Sequence, residues 1–248
     1  MVNAVIFDLD GTMWDSTGCA CAIWNRVFSK HREITWKMTK EKAEQLMGKT
    51  MEEIGQILFP DFSAEKRNSI IDEFGLEEVE YLTENGAILY DGLEETLKRL
   101  NQEYELYIVS NCQDGYISAF LHSHKLGQYF NDIEMSGRTG LDKGSNIRLI
   151  MERNNIQSAV YIGDTEGDEK ASRIAGLNSE RPEELLESLE RIFCKPVKEA
   201  ERRTALSAAE DARDEGAAER RERECARGNR HDDAPCWRFF TFSSPIGR

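Results

Sequence analysis

The most informative feature of the chain is the octapeptide VIFDLDGT near its start. The apolar run from Val5 to Phe7, followed by an acidic pair and a glycine, predicts a buried parallel strand that ends in an acidic loop. Residues two apart on a strand point to the same side, so Asp8 and Asp10 can reach one substrate atom or one metal ion. Two buried carboxylates at this spacing repel each other and need a cation between them. The alternative is a simple turn in which both carboxylates only cap backbone N–H groups.

Composition and charge restrict the classes of protein to which the chain can belong. Its 248 residues suffice for one large domain or two small ones. The formal net charge of -14 opposes binding to nucleic acid or to anionic membranes, since both require a cationic surface. We find neither a signal-peptide pattern nor an apolar run long enough to span a bilayer, and therefore expect a cytoplasmic protein.

After the acidic loop, apolar residues recur with the period of an α-helix. Thr50 and Glu53 form a capping-box pattern at the start of one predicted helix, and Pro60 ends it. A later helical stretch is expected to break near Gly75. Residues 16–87 are thus predicted to form a small helical bundle inserted after the first strand, whereas residues 1–15 and 88–193 form an α/β core.

Beyond the helical insertion, predicted strands and helices alternate, which indicates a parallel sheet with right-handed crossovers. Three of the predicted strands end in polar residues that can bind a metal or a phosphate. Ligands and chemistry gather at the carboxyl ends of the strands in an open α/β sheet, so we expect these residues to lie together. They are Asp8 and Asp10 in the first case, Ser110 and Asn111 in the second, and Asp164 in the third.

Two further features accompany these strand ends: Lys143 ahead of a helix, and the acidic run GDTEGD at Asp164. Together they resemble the four motifs of the haloacid dehalogenase-like (HAD) hydrolase superfamily. The resemblance covers about residues 1–177 and is specific to the phosphoglycolate-phosphatase-like branch, in which the inserted helices form a cap. It implies an α/β fold with a Rossmann-like parallel sheet core and an inserted α-helical cap. It also implies magnesium-dependent hydrolysis of a small phosphomonoester through an aspartyl-phosphate intermediate.

The resemblance carries catalytic and phosphate-binding roles onto individual residues. Asp8 would be the nucleophile, and Asp10 would be the general acid and then the general base. Lys143 would neutralise negative charge on Asp8 and on the transferring phosphoryl group. The implied phosphate-binding residues are Ser110, Asn111, Gly11 and Thr12.

Mg²⁺ is the cofactor that the resemblance implies. Its ligands would be the Asp8 carboxylate, the backbone carbonyl of Asp10, and Asp164, because hard oxygen ligands suit this ion. Asp168 would support the metal or its waters, or serve as an additional ligand. Alternatively, Asp168 has no role at the metal, and its negative charge only stabilises the first turn of the following helix.

Two other functions stay open alongside the phosphatase. A phosphosugar mutase of the same superfamily would use the same nucleophile and acid. A catalytically weak or inactive HAD-like binding protein would carry the same motifs without efficient turnover. The expected partner is a small phosphorylated metabolite, with no nucleic acid and no membrane, and the expected assembly is a monomer or a weak homo-oligomer.

The carboxyl-terminal part departs from the family pattern. A strand expected after Gly176 is missing, so the strand at 159–162 is predicted to be an exposed edge of the sheet. Residues 194–248 are rich in Ala, Glu and Arg and poor in branched aliphatics, which predicts a disordered or partly helical tail. Within this tail the run CWRFFTF is a candidate for pairing with the exposed edge.

Overall fold

The computed structural model describes residues 2–177 and 240–243. Five of its strands form one sheet in the order β5-β4-β1-β6-β7, and the other two, β2 and β3, form a short antiparallel ribbon. The neighbours β1, β4, β5 and β6 are mutually parallel, which confirms the predicted α/β class. The strands are β1 (Ala4–Phe7), β2 (Trp14–Asp15), β3 (Ile88–Leu89), β4 (Glu105–Ser110), β5 (Asp132–Met135), β6 (Ala159–Gly163) and β7 (Phe240–Ser243).

The helices fall into two groups. The first group lies between β2 and β3 in the chain and comprises α1 (Thr17–Lys30), α2 (Lys40–Glu44), α3 (Met51–Leu58) and α4 (Ala64–Asn85). The second alternates with the strands of the sheet and comprises α5 (Leu93–Leu100), α6 (Tyr116–His124), α7 (Ser136–Thr139), α8 (Lys143–Arg153) and α9 (Glu166–Ile174). Within the described ranges, no helix is both long and apolar enough to cross a membrane.

Strand β1 lies in the middle of the sheet and is apolar along its whole length. All of its side chains are buried, because alternate residues face opposite layers of helices. Val5 and Phe7 pack in one hydrophobic cluster with residues of α5 and α6. Ala4 and Ile6 pack in another with residues of α8 and α9. This two-sided burial fixes the position of the acidic loop that follows β1.

Helices α1 to α4 have a hydrophobic cluster of their own. Trp24 of α1 and Phe74 of α4 stack within it, with ring centroids 3.7 Å apart. The capping box predicted for Thr50 and Glu53 is present at the start of α3, and that helix ends at Leu58, just before Pro60. The ribbon of β2 and β3 brings the two ends of the insertion together. This closure supports the proposed division of the chain into a cap at residues 16–87 and a core on either side of it.

The predicted break near Gly75 is wrong, because α4 runs without interruption from Ala64 to Asn85. Gly75 is buried inside the helix, where a Cβ would lie 3.6 Å from Cγ of Gln113. A glycine within a helix costs about 1 kcal/mol relative to alanine. Burial of Ile70, Phe74 and Leu82 on the same helix outweighs that cost.

The prediction that β6 forms an exposed edge is also wrong. Strand β7 pairs with β6 in antiparallel orientation, with Tyr161 opposite Phe242 and Gly163 opposite Phe240. The paired segment begins within the run CWRFFTF, as the sequence suggested. The backbone N–H and C=O groups at that edge of β6 thereby gain partners. The predictions for the rest of the tail at 194–248, and for the end of the core after Leu177, lie outside the described residues.

Deletion of residues 240–248 removes β7 and leaves the edge of β6 unpaired. We expect a lower Tm and self-association that increases with protein concentration, since an open edge pairs with other chains. A loss of about 1 kcal/mol would lower the Tm of a domain of this size by about 2–4 °C. Thermal unfolding and sedimentation velocity measure the two effects. The matched control is deletion of residues 244–248, which retains β7; identical behaviour of the two deletions would contradict the role assigned to this strand.

Candidate active site

The polar residues predicted at three strand ends lie at one edge of the sheet. Asp8 directly follows β1 and is buried, Ser110 ends β4 and is buried, and Asp164 directly follows β6 and is exposed. Because β1 pairs with both β4 and β6, the carboxyl ends of these strands are adjacent. The central position of β1 therefore brings these three side chains to a common site.

Lys143 provides a buried cation at this site. It is the first residue of α8, and its ammonium Nζ lies 3.0 Å from Oδ1 of Asp8 and 2.6 Å from Oδ1 of Asp168. Burial raises the pKa of Asp8 to about 8 against the opposing effect of Lys143, and the carboxylates of Asp168 and Asp164 add to the increase. Burial acts to lower the pKa of Lys143, but the two carboxylates beside it raise that pKa above its usual value. A negative charge on Asp8 therefore depends on positive charge close to it.

Asp168 is held on both of its carboxylate oxygens. Besides the bond from Lys143, Oδ1 accepts a hydrogen bond from the Tyr161 hydroxyl at 3.2 Å. Oδ2 accepts bonds from the backbone N–H and the hydroxyl of Thr165, at 3.0 and 2.6 Å. Asp168 thus lies in the first turn of α9, as part of a capping box with Thr165. Burial acts to raise the pKa of Asp168, but Lys143 holds it below its usual value. The arrangement orients the ammonium of Lys143 toward Asp8.

Three carboxylates at this edge of the sheet could together bind a cation. Asp8, Asp164 and Asp168 each offer an oxygen that lies within 4.8 Å of the others. Although Asp164 is exposed as a residue, partial removal of its carboxyl group from water raises its pKa to about 6, and the charge of Asp168 adds to the increase. A divalent cation would relieve this repulsion, and hard carboxylate oxygens are suitable ligands for it. The backbone carbonyl of Asp10, the other predicted ligand, stays a prediction.

Gly11 and Thr12 shape the position of Asp164. Gly11 has a φ of +77°, and a Cβ at this position would lie 2.3 Å from Oδ2 of Asp164. Only glycine allows both this backbone conformation and so close an approach. The hydroxyl of Thr12 donates a hydrogen bond to Oδ1 of Asp164 at 3.4 Å. The phosphate contacts expected of both residues stay predictions.

The carboxylate of Asp10 is oriented by three neighbours that sequence reasoning did not identify as part of the site. Its Oδ1 accepts hydrogen bonds from Nε1 of Trp14, the hydroxyl of Ser16 and the hydroxyl of Tyr116, at 2.8, 2.7 and 2.8 Å. Burial nevertheless raises the pKa of Asp10 above its usual value. Trp14 is buried in the hydrophobic core, where its indole N–H needs an acceptor. This need for an acceptor could have identified Trp14 from the sequence. Tyr116 could not be identified in this way, because it lies on the distant helix α6.

Two side chains from the loop after β4 connect the core to the cap. Nδ2 of Asn111 donates to the backbone carbonyl of Gly48 at 2.9 Å, and its Oδ1 accepts a hydrogen bond from Ser136. Nε2 of Gln113 donates to Oε2 of Glu78 on α4 at 2.7 Å. A cavity of about 70 Å³ lies between cap and core and reaches Asp8 and Asp10. The structure therefore shows Asn111 in contact with the cap, and its phosphate contact stays a prediction.

Substitution of Gly11 by alanine should disturb the acidic cluster. The new Cβ would collide with the Asp164 carboxylate and would also be strained at positive φ, which costs about 1–2 kcal/mol. Gly140→Ala is the matched control, because Gly140 has a φ of +69° with nothing within 4 Å of a Cβ. We expect both variants to lose stability in thermal unfolding, and Gly11→Ala alone to lose affinity for Mg²⁺ in titration calorimetry. Equal Mg²⁺ affinity in the two variants would contradict this role of Gly11.

Replacing Lys143 by methionine should destabilise the fold strongly. The change leaves the buried carboxylates of Asp8 and Asp168 without their cation, and breaking a buried ion pair in this way costs about 3–5 kcal/mol. The control is Lys30→Met, which removes a solvent-exposed lysine from its pairs with Glu73 and Glu77 and should have little effect. Urea unfolding at pH 7 gives the free energy for each variant. A similar loss in the free energy of unfolding in both variants would contradict the importance assigned to the buried pair.

Comparisons with known proteins identify the family of the chain. The family model described as haloacid dehalogenase-like hydrolase matches residues 5–180. A phosphoglycolate phosphatase from Xanthomonas campestris pv. campestris (strain 8004) is 28% identical over 182 residues, which cover 71% of this chain and 81% of the relative.

Solved structures of similar fold come from several bacteria. The crystal structure of a predicted phosphatase from Clostridium acetobutylicum has a TM-score of 0.62 and 26% identity, over 76% of this chain and 91% of that one. The crystal structure of CbbY from Rhodobacter sphaeroides in complex with phosphate shares the fold at a TM-score of 0.61 and 20% identity, over 72% of this chain and 84% of that one. Since the family model spans well over half of its residues, the chain belongs to the haloacid dehalogenase-like hydrolases.

Proposed function

We propose that the protein is a magnesium-dependent phosphatase that hydrolyses a small phosphomonoester through an aspartyl-phosphate on Asp8. The observation that carries the proposal is the buried ammonium of Lys143 beside Asp8, with Asp10 held in a defined orientation two residues further on. The likeness to a phosphoglycolate phosphatase supports the same class of substrate.

In the first chemical step, a carboxylate oxygen of Asp8 attacks the phosphorus of the ester. The new oxygen–phosphorus bond forms as the bond from phosphorus to the leaving group breaks, and Asp10 donates a proton to the departing alkoxide. Lys143 offsets the negative charge that Asp8 and the phosphoryl group bring together. The hydroxyl of Ser110, which lines the same cavity, would bind a phosphoryl oxygen.

In the second step, water attacks the phosphorus of the aspartyl-phosphate, and Asp10 takes a proton from that water. The bond between Asp8 and phosphorus breaks, which regenerates the carboxylate and releases inorganic phosphate. Ester and water are thus converted into alcohol and phosphate. The three hydrogen bonds to Oδ1 of Asp10 keep one carboxyl group in place for both proton transfers.

The residues present fit Mg²⁺, because the cluster at this edge offers carboxylate oxygens only. Asp8 and Asp164 would hold the ion together with the backbone carbonyl of Asp10. When bound, Mg²⁺ supplies positive charge that stabilises the phosphoryl group and the ionised form of Asp8. Since both oxygens of Asp168 already accept hydrogen bonds, we assign it to the positioning of Lys143. The cytoplasmic location and the monomeric or weakly associating state stay predictions from the sequence.

The first test is hydrolysis of para-nitrophenyl phosphate by the purified chain with Mg²⁺ and with excess EDTA. We expect activity that requires the metal and that falls on the order of 10³-fold or more in Asp8→Asn, because loss of a nucleophile removes the covalent route. Asp61→Asn, an exposed change in the cap, is the control and should retain activity. A folded Asp8→Asn variant as active as the parent would refute the proposal.

The alternatives predict other outcomes in the same series. An inactive binding protein would release no phosphate yet would bind inorganic phosphate in calorimetry. A phosphosugar mutase would transfer the phosphoryl group to a sugar phosphate in preference to water, which product analysis with both acceptors present detects.

A further inference from the structure

Glu78 is a buried carboxyl group that the proposed chemistry does not use. It lies on α4 with only 4% of its surface exposed, and it lines the same cavity as Asp8, Asp10 and Ser110. Within the described part of the cap, it is the one charged residue that is buried. A carboxyl group removed from water in this way needs compensation from its surroundings.

Glu78 lacks the cationic partner that other buried acidic residues have in the described part of the chain. Asp8 and Asp168 share the ammonium of Lys143, and Glu134 is paired with Arg153 at 2.8 Å. Glu78 has no such cation within ion-pair distance among the described residues. Its hydrogen bond comes from the neutral amide of Gln113. The carboxyl group is thus placed at the cavity without a charge that balances it.

The surroundings of Glu78 disfavour negative charge. Burial raises its pKa to about 8, although the hydrogen bond from Gln113 opposes the shift, and the charge of Asp10 adds to it. These surroundings favour the protonated form of the carboxyl group, which can both donate and accept hydrogen bonds. A carboxylate on a leaving group beside Glu78 would meet the same loss of hydration, without a cation to balance its charge.

The rest of the cavity wall combines apolar side chains of the cap, such as Trp24 and Leu46, with polar groups of the core. The amide groups of Asn111 and Gln113 also line the cavity, at the boundary between cap and core. Among the described lining residues the one lysine or arginine is Lys49, whose side chain is exposed to solvent.

We propose that Glu78 is a specificity residue, which hydrogen-bonds a hydroxyl of the leaving group and makes the site reject phosphomonoesters whose leaving group carries a carboxylate. The inference rests on the proposed phosphatase function and narrows its substrate to a compact hydroxyalkyl phosphate. It separates this chain from the relative named as a phosphoglycolate phosphatase.

The test compares 2-hydroxyethyl phosphate with phosphoglycolate, two esters of similar size, at pH 7 with Mg²⁺. We expect the parent chain to favour the hydroxyl ester by at least about tenfold in kcat/KM, because a polar group left unpaired in a closed site is strongly disfavoured. Glu78→Leu should reduce this preference by about tenfold, with most of the change in KM, and Glu78→Gln should retain much of it. Glu77→Gln, on the neighbouring residue that pairs with Arg26 and Lys30, is the control and should leave the preference unchanged.

Two results would overturn the inference. One is a preference of the parent chain for phosphoglycolate, which would indicate that Lys49 or another cation binds the carboxylate. The other is an equal loss on both esters in Glu78→Leu, which would indicate that Glu78 only holds the cap on the core. Calorimetric titration of both esters into the Asp8→Asn variant measures the same preference without turnover. That readout stays decisive even if no ester is hydrolysed, and the absence of all hydrolysis would count against the proposed function alone.

Discussion

The buried ion pair of Lys143 with Asp8 and Asp168 is the interaction on which the rest of the site depends. It joins the end of β1 to the first residue of α8 and the first turn of α9, so three elements are held at one point. Without this ammonium, the two buried carboxylates would repel each other. The ion pair that stabilises the core therefore also favours the negatively charged form of Asp8, the proposed nucleophile.

A second set of contacts decides what can reach that nucleophile. Asn111 and Gln113 follow β4 directly and bond to Gly48 and Glu78 of the cap. The core thus carries the residues of the proposed chemistry, and the cap supplies the opposite wall of the cavity. A division of this kind allows the leaving group to change while the phosphoryl site stays the same. The chain's own cap, and Glu78 in particular, is therefore the place where its preference is expected to differ from that of its relatives.

The edge of the sheet shows how a distant segment can complete a core. Strand β6 would end the sheet with a row of unpaired backbone groups, and Phe240–Ser243 pairs with it in antiparallel orientation. The apolar and β-branched residues that made this segment a candidate for pairing also make it suited to an edge. In the described structure, β7 is the one strand of the large sheet that runs against the others.

The sequence by itself determined the features that depend on near neighbours: the apolar strand β1 with its acidic loop, the capping box of Thr50 and Glu53, and the alternation that predicts a parallel sheet. Their signals are periodicity and capping, which act over a few residues. The tertiary structure decided the convergence of Tyr116 on Asp10, the contact of Gln113 with Glu78, and the continuity of α4 through Gly75. The first two join residues 106 and 35 positions apart, and the third depends on the burial of a whole helix face. Local sequence patterns do not predict such contacts, because these contacts form and stabilise the protein only once the elements are packed together.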